Sequence, residues 1–182
     1  MKRLFSLRII FFLIFALISP HIPALAASQP ETSVYVHPSV VHLAPGESEV
    51  ITIRIADVEE LRAFEVQISF DQSRIYVKPG SPSDGAFLGA GFGSPDNAVD
   101  NQAGTITFGK AITGDDVVSG SGSLFSFEVQ AQGSTGIGLI TIAEVDLVHA
   151  NHFPIPHQIQ HGSVHITGED SGYQVYLPLI LQ

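Results

Sequence analysis

The fold is decided by the stretch Ala63-Phe-Glu-Val-Gln-Ile-Ser-Phe70, in which polar or small and apolar side chains alternate without a break. Successive side chains of a β-strand point to opposite faces, so the apolar residues at even positions share one face. The residues at odd positions, among them Glu65 and Gln67, share the other face. This pattern indicates a strand whose sheet is buried on one side and hydrated on the other.

Similar short apolar runs occur on both sides of this stretch. They predict further strands at 34–36, 50–55, 75–77, 98–99, 104–108, 124–129, 137–148 and 162–166. The run 137–148 is long enough to contain a bulge, and 81–101, rich in Gly, Pro, Ser and Asp, is predicted to be a long irregular connection. No segment sustains a period of 3.6 residues. Eight or nine short strands between turns indicate an all-β fold, an antiparallel β-sandwich or jelly roll.

The first 26 residues have the pattern of a secretory signal peptide. Three basic residues precede ten consecutive apolar ones at 9–18, and Ala24-Leu-Ala26 supplies the small residues that a signal peptidase recognises. The alternative is an uncleaved membrane anchor, but a membrane-spanning helix needs about 20 apolar residues. We therefore predict cleavage near Ala26, a secreted or cell-surface protein, and no membrane span after cleavage.

The composition excludes several classes of function. Among 182 residues there is no Cys, so disulfides, thiolate catalysis and Cys-ligated metals are excluded, and core packing alone must hold the fold. Three of the 8 basic residues lie in the predicted signal peptide, which leaves five against 18 acidic residues and a net charge of −13. These five cations are scattered singly. Nucleic acid binding requires clustered cations, so nucleic acid is not an expected partner.

Catalysis and direct binding of flat glycan surfaces find little support in the sequence. The Gly-x-Ser-x-Gly elbow, the His-Glu-x-x-His helix and the phosphate-binding loop are all missing. Two of the 18 carboxylates could serve a glycosidase, but sequence spacing does not place them at a catalytic separation. The chain has no Trp and four Tyr, which leaves few platforms for sugar stacking. We expect a protein that is not an enzyme.

Two groups of residues carry atoms that metals accept. The histidines at 149, 152, 157, 161 and 165 fall within 17 residues, but they straddle a loop and a strand, so we favour surface histidines over a metal site. Oxygen ligands for calcium occur at Asp96, Asn97, Asp100, Asn101, Asp115 and Asp116. The EF-hand pattern is missing, so we favour turn chemistry there and expect no cofactor in this chain.

The central stretch, extended to Phe64-Glu-Val-Gln-Ile-Ser-Phe-Asp71 and followed by Ile75-Tyr-Val-Lys-Pro-Gly80, resembles the signature of the cohesin family. Three further segments occur in the family's order: Ala44-Pro-Gly46 before a Val/Ile strand, Gly104-Thr-Ile-Thr-Phe108, and Gly122-Ser-Leu-Phe-Ser-Phe-Glu-Val129. The resemblance covers residues 33–167, which we take as one cohesin-like domain. It implies a nine-stranded jelly roll.

Cohesins bind calcium-loaded dockerin modules of other proteins, so the resemblance implies a dockerin-bearing partner, with calcium on the partner, in the assembly of extracellular polysaccharide-degrading proteins. Carbohydrate-binding modules share the fold, so a carbohydrate-binding or surface structural module on the same sandwich is the alternative. By the same resemblance, the contact positions are those on the hydrated side of the central strand and its neighbour. They are Ala63, Glu65, Gln67, Thr105, Thr107 and Gly109. Most well-studied members carry a polar residue where this chain has Ala63.

The segment 168–182 is predicted to be a linker and a hydrophobic tail. Its last ten residues, Tyr173-Gln-Val-Tyr-Leu-Pro-Leu-Ile-Leu-Gln182, resemble a short ending found on exported bacterial proteins. Two interpretations are open. The tail is either a sorting or surface-retention tag, or an edge strand that packs on the sandwich, where Pro178 would be tolerated.

Overall fold

A computed structural model describes residues 31–168. The predicted signal peptide and the hydrophobic tail lie outside these residues. The described part of the chain forms twelve strands and no helix. The strands are β1 (Ser33–His37), β2 (Val40–Leu43), β3 (Ser48–Phe70), β4 (Ile75–Val77), β5 (Ser83–Asp84), β6 (Gly91–Gly93), β7 (Ala98–Asp100), β8 (Thr105–Ile112), β9 (Val118–Ala131), β10 (Gly136–His149), β11 (Gln158–Gln160) and β12 (Gly162–Ile166).

The strands form two layers because the long strand β3 belongs to both. Its first half pairs antiparallel with β1 and β9, and the other partners of β9 are β4 and β5. Its second half pairs antiparallel with β8 and β10, and β10 continues to β12 and β2. The short strands β6 and β7 pair with the outer edge of β8. The predicted all-β antiparallel sandwich is therefore confirmed.

The bend in β3 lies between Ile55 and Leu61, where the pairing with β9 shifts register. Asp57 and Glu60 adopt positive φ angles of 55° and 47° there, a conformation that side-chain-bearing residues rarely adopt. The backbone N–H groups of these two residues donate to the hydroxyls of Ser121 and Ser119 of β9 at 3.0 and 2.9 Å. Serine hydroxyls thus satisfy the backbone groups that the bend removes from the ladder.

The core lies between the layers and is built from the inward face of each strand. Phe125 of the first layer is fully buried, and its ring stacks on Phe108 of the second layer with centroids 4.5 Å apart. Phe64, also in the second layer, lies 6.5 Å from Phe125 in a near-parallel arrangement. The alternating apolar residues of the central stretch all point into this core, as predicted: Phe64, Val66, Ile68 and Phe70.

A buried cation ties the layers together at one end. Lys110 of β8 points inward, with a side chain only 5% exposed, and its ammonium group pairs with the carboxylate of Asp84 in β5. The same ammonium donates to the carbonyl of Gly89. These contacts link the segment 81–101 to β8. The sequence predicted this segment to be irregular apart from a short strand near Ala98 and Val99. That strand is present as β7, and β5 and β6 are additional.

Several strand boundaries differ from the predictions. The strands predicted at 50–55 and 63–70 are one continuous strand, because β3 crosses between layers through a bend rather than a loop. The strand β2 was not predicted. Val50 lies in the strand predicted at 50–55, but its side chain is on the outside of the first layer and the residue is 51% exposed. The bulge expected within 137–148 is confirmed by a register shift between Ile142 and Glu144.

Candidate functional site

The predicted contact residues come together on the outside of the second layer. In the antiparallel pairing of β3 with β8, Glu65 lies opposite Gly109, Gln67 lies opposite Thr107, and Ser69 lies opposite Thr105. Ala63 begins the same row opposite Ala111. We call this outward surface of β8, the second half of β3 and the second half of β10 the β8–β3–β10 face. The structure therefore places all six predicted residues on one continuous face.

The six residues differ in how far they reach solvent. Glu65 and Gln67 are exposed, whereas Ala63, Thr105 and Thr107 are partly buried by their neighbours. Gly109 is buried: a Cβ built on it would lie 3.3 Å from the Glu65 carboxylate and 3.3 Å from Cβ of Ser94. A contact at Gly109 would therefore be made mainly through the side chain of Glu65 that covers it.

Asn97 fixes the edge of the face beside Gly109. Its side-chain oxygen accepts from the Gly109 N–H at 2.6 Å, and its side-chain nitrogen donates to the Gly109 carbonyl at 3.2 Å. Asn97 thus replaces a backbone partner for the Gly109 N–H in the gap between β6 and β7, both of which pair with β8. The Gly109 carbonyl also accepts from the Ser94 backbone N–H at 2.8 Å. The Asn97 amide therefore supports the edge strand in that gap, as expected for a polar side chain that completes an interrupted ladder.

Two carboxylates of β10 add negative charge to the face. Asp146 lies directly opposite Glu65, and Glu144 lies opposite Gln67. All three carboxylates belong to exposed residues, and none of the five ion pairs within residues 31–168 includes any of them. Like charges directly opposite each other on adjacent strands are destabilising. The face therefore carries uncompensated negative charge.

Sequence reasoning missed Glu144 and Asp146 as part of this face. A readable signal was present, since Glu144 and Asp146 alternate with the apolar Val145 and Leu147. The bulge at Ala143 resets this alternation relative to the start of β10, and only the pairing of β10 with β3 shows which strand the two carboxylates join.

A groove of about 810 Å³ lies at the end of the sandwich where β3 bends. Its walls come from the bend of β3, the start of β9 and the connection between β10 and β11. Carboxylates of Glu31, Asp57 and Glu59 line it together with Asn151 and Phe153. Phe153 is 68% exposed, so it offers an apolar aromatic surface beside polar side chains.

The five histidines considered for metal binding do not gather at one place. His149 contacts Glu60 at 3.2 Å, and His161 accepts from the Ile142 N–H at 3.2 Å. His157 bonds the nearby Ile155 carbonyl, and His165 makes an edge-on contact with a histidine of another strand. Within residues 31–168 no group of three or more His, Cys, Asp or Glu side chains could hold a metal ion.

The oxygen-bearing loop residues serve largely as turn and loop supports. One carboxylate oxygen of Asp100 accepts from the N–H groups of Gln102 and Ala103 at 2.8 and 2.9 Å. The Asn101 side chain bonds both backbone groups of Val77, which ties the loop to β4. Asp115 lies 3.6 Å from Arg62 on the surface. The Asp100 contacts are those of a turn, as favoured from the sequence, whereas the Asn101 contacts join two separate segments.

The described part of the chain contains no helix of the length and apolarity needed to cross a membrane. No protein-family model matches the sequence, and no curated protein matches it. Comparison with solved structures is informative, since 33 chains match significantly.

Cohesins are prominent among these structures. A non-cellulosomal cohesin from the archaeon Archaeoglobus fulgidus superimposes with a TM-score of 0.64 at 15% identity, over 78% of this chain and 94% of the other. A type II cohesin from the cellulosome of Acetivibrio cellulolyticus gives 0.64 at 16% identity, over 74% and 95%. The cohesin of a type I cohesin–dockerin complex from Clostridium thermocellum, Coh-OlpC–Doc435, gives 0.63 at 19% identity, over 76% and 94%.

The similarity spans nearly the whole of each of these cohesins. The protein therefore has a cohesin-type fold, as the resemblance in the sequence implied. At these identities the likeness establishes the fold alone, so the function must be argued from the site.

Proposed function

We propose that this protein is a non-enzymatic binding module that captures a dockerin-type partner on its β8–β3–β10 face. The observation that carries the proposal is the row formed by Glu65 and Gln67 in the middle of a sheet, whose exposed side chains make no hydrogen bond within residues 31–168. Several solved structures of the same fold are complexes of a cohesin with a dockerin. A surface sheet with free acceptors in this fold supports partner binding as its role.

The charge of the face indicates the chemistry of the partner. Glu65, Glu144 and Asp146 offer carboxylate oxygens, and none has a cation within 4.0 Å among the described residues. Carboxylates form their strongest hydrogen bonds with Arg and Lys and also accept from hydroxyls. We therefore expect the partner to present basic and hydroxyl side chains, and we expect its association to slow as salt screens the charges.

Export and cellular role complete the proposal. The signal-peptide pattern at 1–26 supports secretion or display at the cell surface, and the acidic composition fits a hydrated extracellular module. We place the protein in the assembly of extracellular polysaccharide-degrading proteins. In this scheme the calcium belongs to the partner, and the segment 173–182 acts in sorting or surface retention.

The alternative function is carbohydrate binding on the same fold. The groove beside the bend of β3 favours it, because Phe153 offers a ring for stacking and Glu31, Asp57 and Asn151 offer hydrogen bonds. A single phenyl ring is a small platform for a flat glycan surface. We therefore rank this function second.

A binding assay with two classes of ligand separates the two functions. The full chain is presented to calcium-loaded dockerins and, in parallel, to polysaccharide gels. We expect capture by a dockerin, and loss of capture in the double variant Glu65→Ala, Gln67→Ala at an unchanged melting temperature. The matched control is Glu128→Ala, Gln130→Ala, which removes the same two residue types from the outside of the first layer.

The control variant should bind the dockerin like the unmodified chain. Binding to polysaccharide alone would overturn the proposal in favour of the alternative. Full dockerin binding by the Glu65→Ala, Gln67→Ala variant would move the site away from the β8–β3–β10 face.

A further inference from the structure

Two histidines that are far apart in the sequence meet on the outside of the second layer, beyond the β8–β3–β10 face. The strands β2 and β12 pair in parallel, and this register places His42 directly opposite His165. Both imidazoles point outward, because Val41, Leu43, Val164 and Ile166 on either side of them point into the core. His42 was not part of the histidine group considered from the sequence, since it lies more than a hundred residues away.

The distance between the two rings suits one shared metal ion. Their centroids are 4.9 Å apart, and their planes are inclined at 60°. With metal–nitrogen bonds of about 2.0–2.1 Å, two imidazoles on one ion have centroids about 4.5 Å apart at a right angle and about 5.2 Å apart at the tetrahedral angle. The observed distance lies between these limits. The χ2 torsion of histidine is broad, so ring rotation can aim one nitrogen of each ring at a common point.

Neither ring is held by another hydrogen bond within residues 31–168. This distinguishes the pair from three other histidines, whose ring nitrogens are engaged: His149 with the Asn151 N–H, His157 with the Ile155 carbonyl, and His161 with the Ile142 N–H. The nitrogens of His42 and His165 are therefore available to a ligand. Neutral imidazole is the usual protein ligand of zinc, copper and nickel.

We propose that His42 and His165 form a two-histidine site for a divalent transition-metal ion, with water in the remaining coordination positions. The two ligands stand on adjacent strands of one sheet, so little ordering is needed when the ion binds. The site is open to solvent on its outer side, as expected for an ion whose coordination the protein does not complete. The proposal is independent of the proposed partner-binding function, because it uses different strands.

Titration of the full chain, prepared without an oligohistidine tag, tests the site. Zinc chloride and nickel chloride are added separately while heat of binding and the ¹H–¹³C signals of the imidazole rings are recorded, with magnesium chloride as the control salt. We expect one zinc or nickel ion per chain, shifts at the rings of His42 and His165, and a melting temperature raised by the bound ion. Magnesium should have no effect, since it prefers oxygen ligands.

Three single variants complete the test. His42→Gln and His165→Gln should each weaken zinc binding by at least about tenfold. Mutation of a residue that only hydrogen-bonds to a metal ligand already lowers metal affinity by about 10–100-fold, and these two residues are the proposed ligands themselves. His152→Asn is the control, because His152 is exposed, has a φ of 66° that Asn tolerates, and lies outside the pair. Absence of zinc binding, binding unchanged in both Gln variants, or equal weakening in His152→Asn would each overturn the proposal.

Discussion

The two outer faces of the sandwich differ in whether their carboxylates are paired with cations. On the first layer, the Glu128 carboxylate lies 3.2 Å from the Lys78 ammonium, and the hydroxyls of Ser83 and Ser126 bond each other at 2.9 Å. On the second layer, Glu65 and Asp146 face each other with no cation within 4.0 Å among the described residues. The Glu128 carboxylate of the first face is thus paired with a cation, whereas the carboxylates of the second face are not. The first half of β3 also carries Arg54, whose buried Nε has no hydrogen-bond partner among the described residues.

This difference in charge pairing distinguishes the two faces as candidate binding surfaces, although both are hydrated sides of antiparallel layers. A polar outer face is expected of any such sheet and is not by itself evidence of a site. Uncompensated like charge in direct register is less expected, because it costs stability that a neutral pair would not. The charge balance of the second outer face, rather than its polarity, therefore supports the binding surface that we propose there.

The largest effect is expected at the aromatic contact between the two layers. Phe125→Ala removes a fully buried ring that stacks across the core on Phe108 and lies near Phe64. We expect a loss of about 3–5 kcal/mol in the free energy of unfolding, since the ring's contacts are lost and a cavity remains. Urea denaturation followed by circular dichroism measures it.

Val50→Ala is the control for this prediction, because Val50 is 51% exposed on the first outer face. This substitution should lower the free energy of unfolding by less than about 0.5 kcal/mol. Two separate unfolding transitions in Phe125→Ala would mean that the layers are stabilised independently. In that case, the core would not couple the two faces.

The next largest loss of stability is expected at a buried lysine–carboxylate pair, and an exposed pair serves as its comparison. Lys110→Met should cost about 1–3 kcal/mol, because it removes a charged hydrogen bond to Asp84 and another to the Gly89 carbonyl at the end of the core. Lys78→Met should cost less than about 1 kcal/mol, since the Lys78 side chain is 62% exposed and its pair with Glu128 is screened by water. Urea denaturation of the two variants measures both losses in the free energy of unfolding. Equal losses would contradict the expectation that the buried pair of Lys110 stabilises the fold more than the exposed pair of Lys78.

The sequence was sufficient for the fold because the decisive strand has one fully apolar face. In β3 every even residue from Phe64 to Phe70 is buried, and this local period needs no knowledge of partners. The same local pattern placed Glu65 and Gln67 outward. Their neighbours Thr105, Thr107 and Gly109 followed from the family resemblance, and the register of β8 agrees with it.

The sequence was insufficient where the outcome depends on which strands pair. The parallel pairing of β2 with β12 brings His42 to His165, and the pairing of β10 with β3 brings Asp146 to Glu65. Neither contact leaves a local signal, because the partners are 123 and 81 residues apart. Lys110 was missed for a related reason: burial of a lysine depends on a carboxylate supplied by another strand, here Asp84 in β5.

The smallest effect tests the contrast between the faces directly, because the two variants should change stability in opposite directions. Asp146→Asn should raise the free energy of unfolding by about 0.2–1 kcal/mol, since it removes the repulsion with Glu65. Glu128→Gln should lower it by up to about 1 kcal/mol, since it breaks the pair with Lys78. Both changes should shrink in high salt, because screening weakens surface charge interactions.

The same Asp146→Asn chain also links stability to binding. If the negative charge serves a partner, this variant should be more stable and yet bind that partner less tightly, the trade-off expected where function retains an unfavourable arrangement. Urea denaturation and a binding titration on one preparation measure both quantities. A variant that is destabilised by the loss of the Asp146 charge would show that the carboxylate is already compensated within the chain, and the contrast between the two faces would then fail.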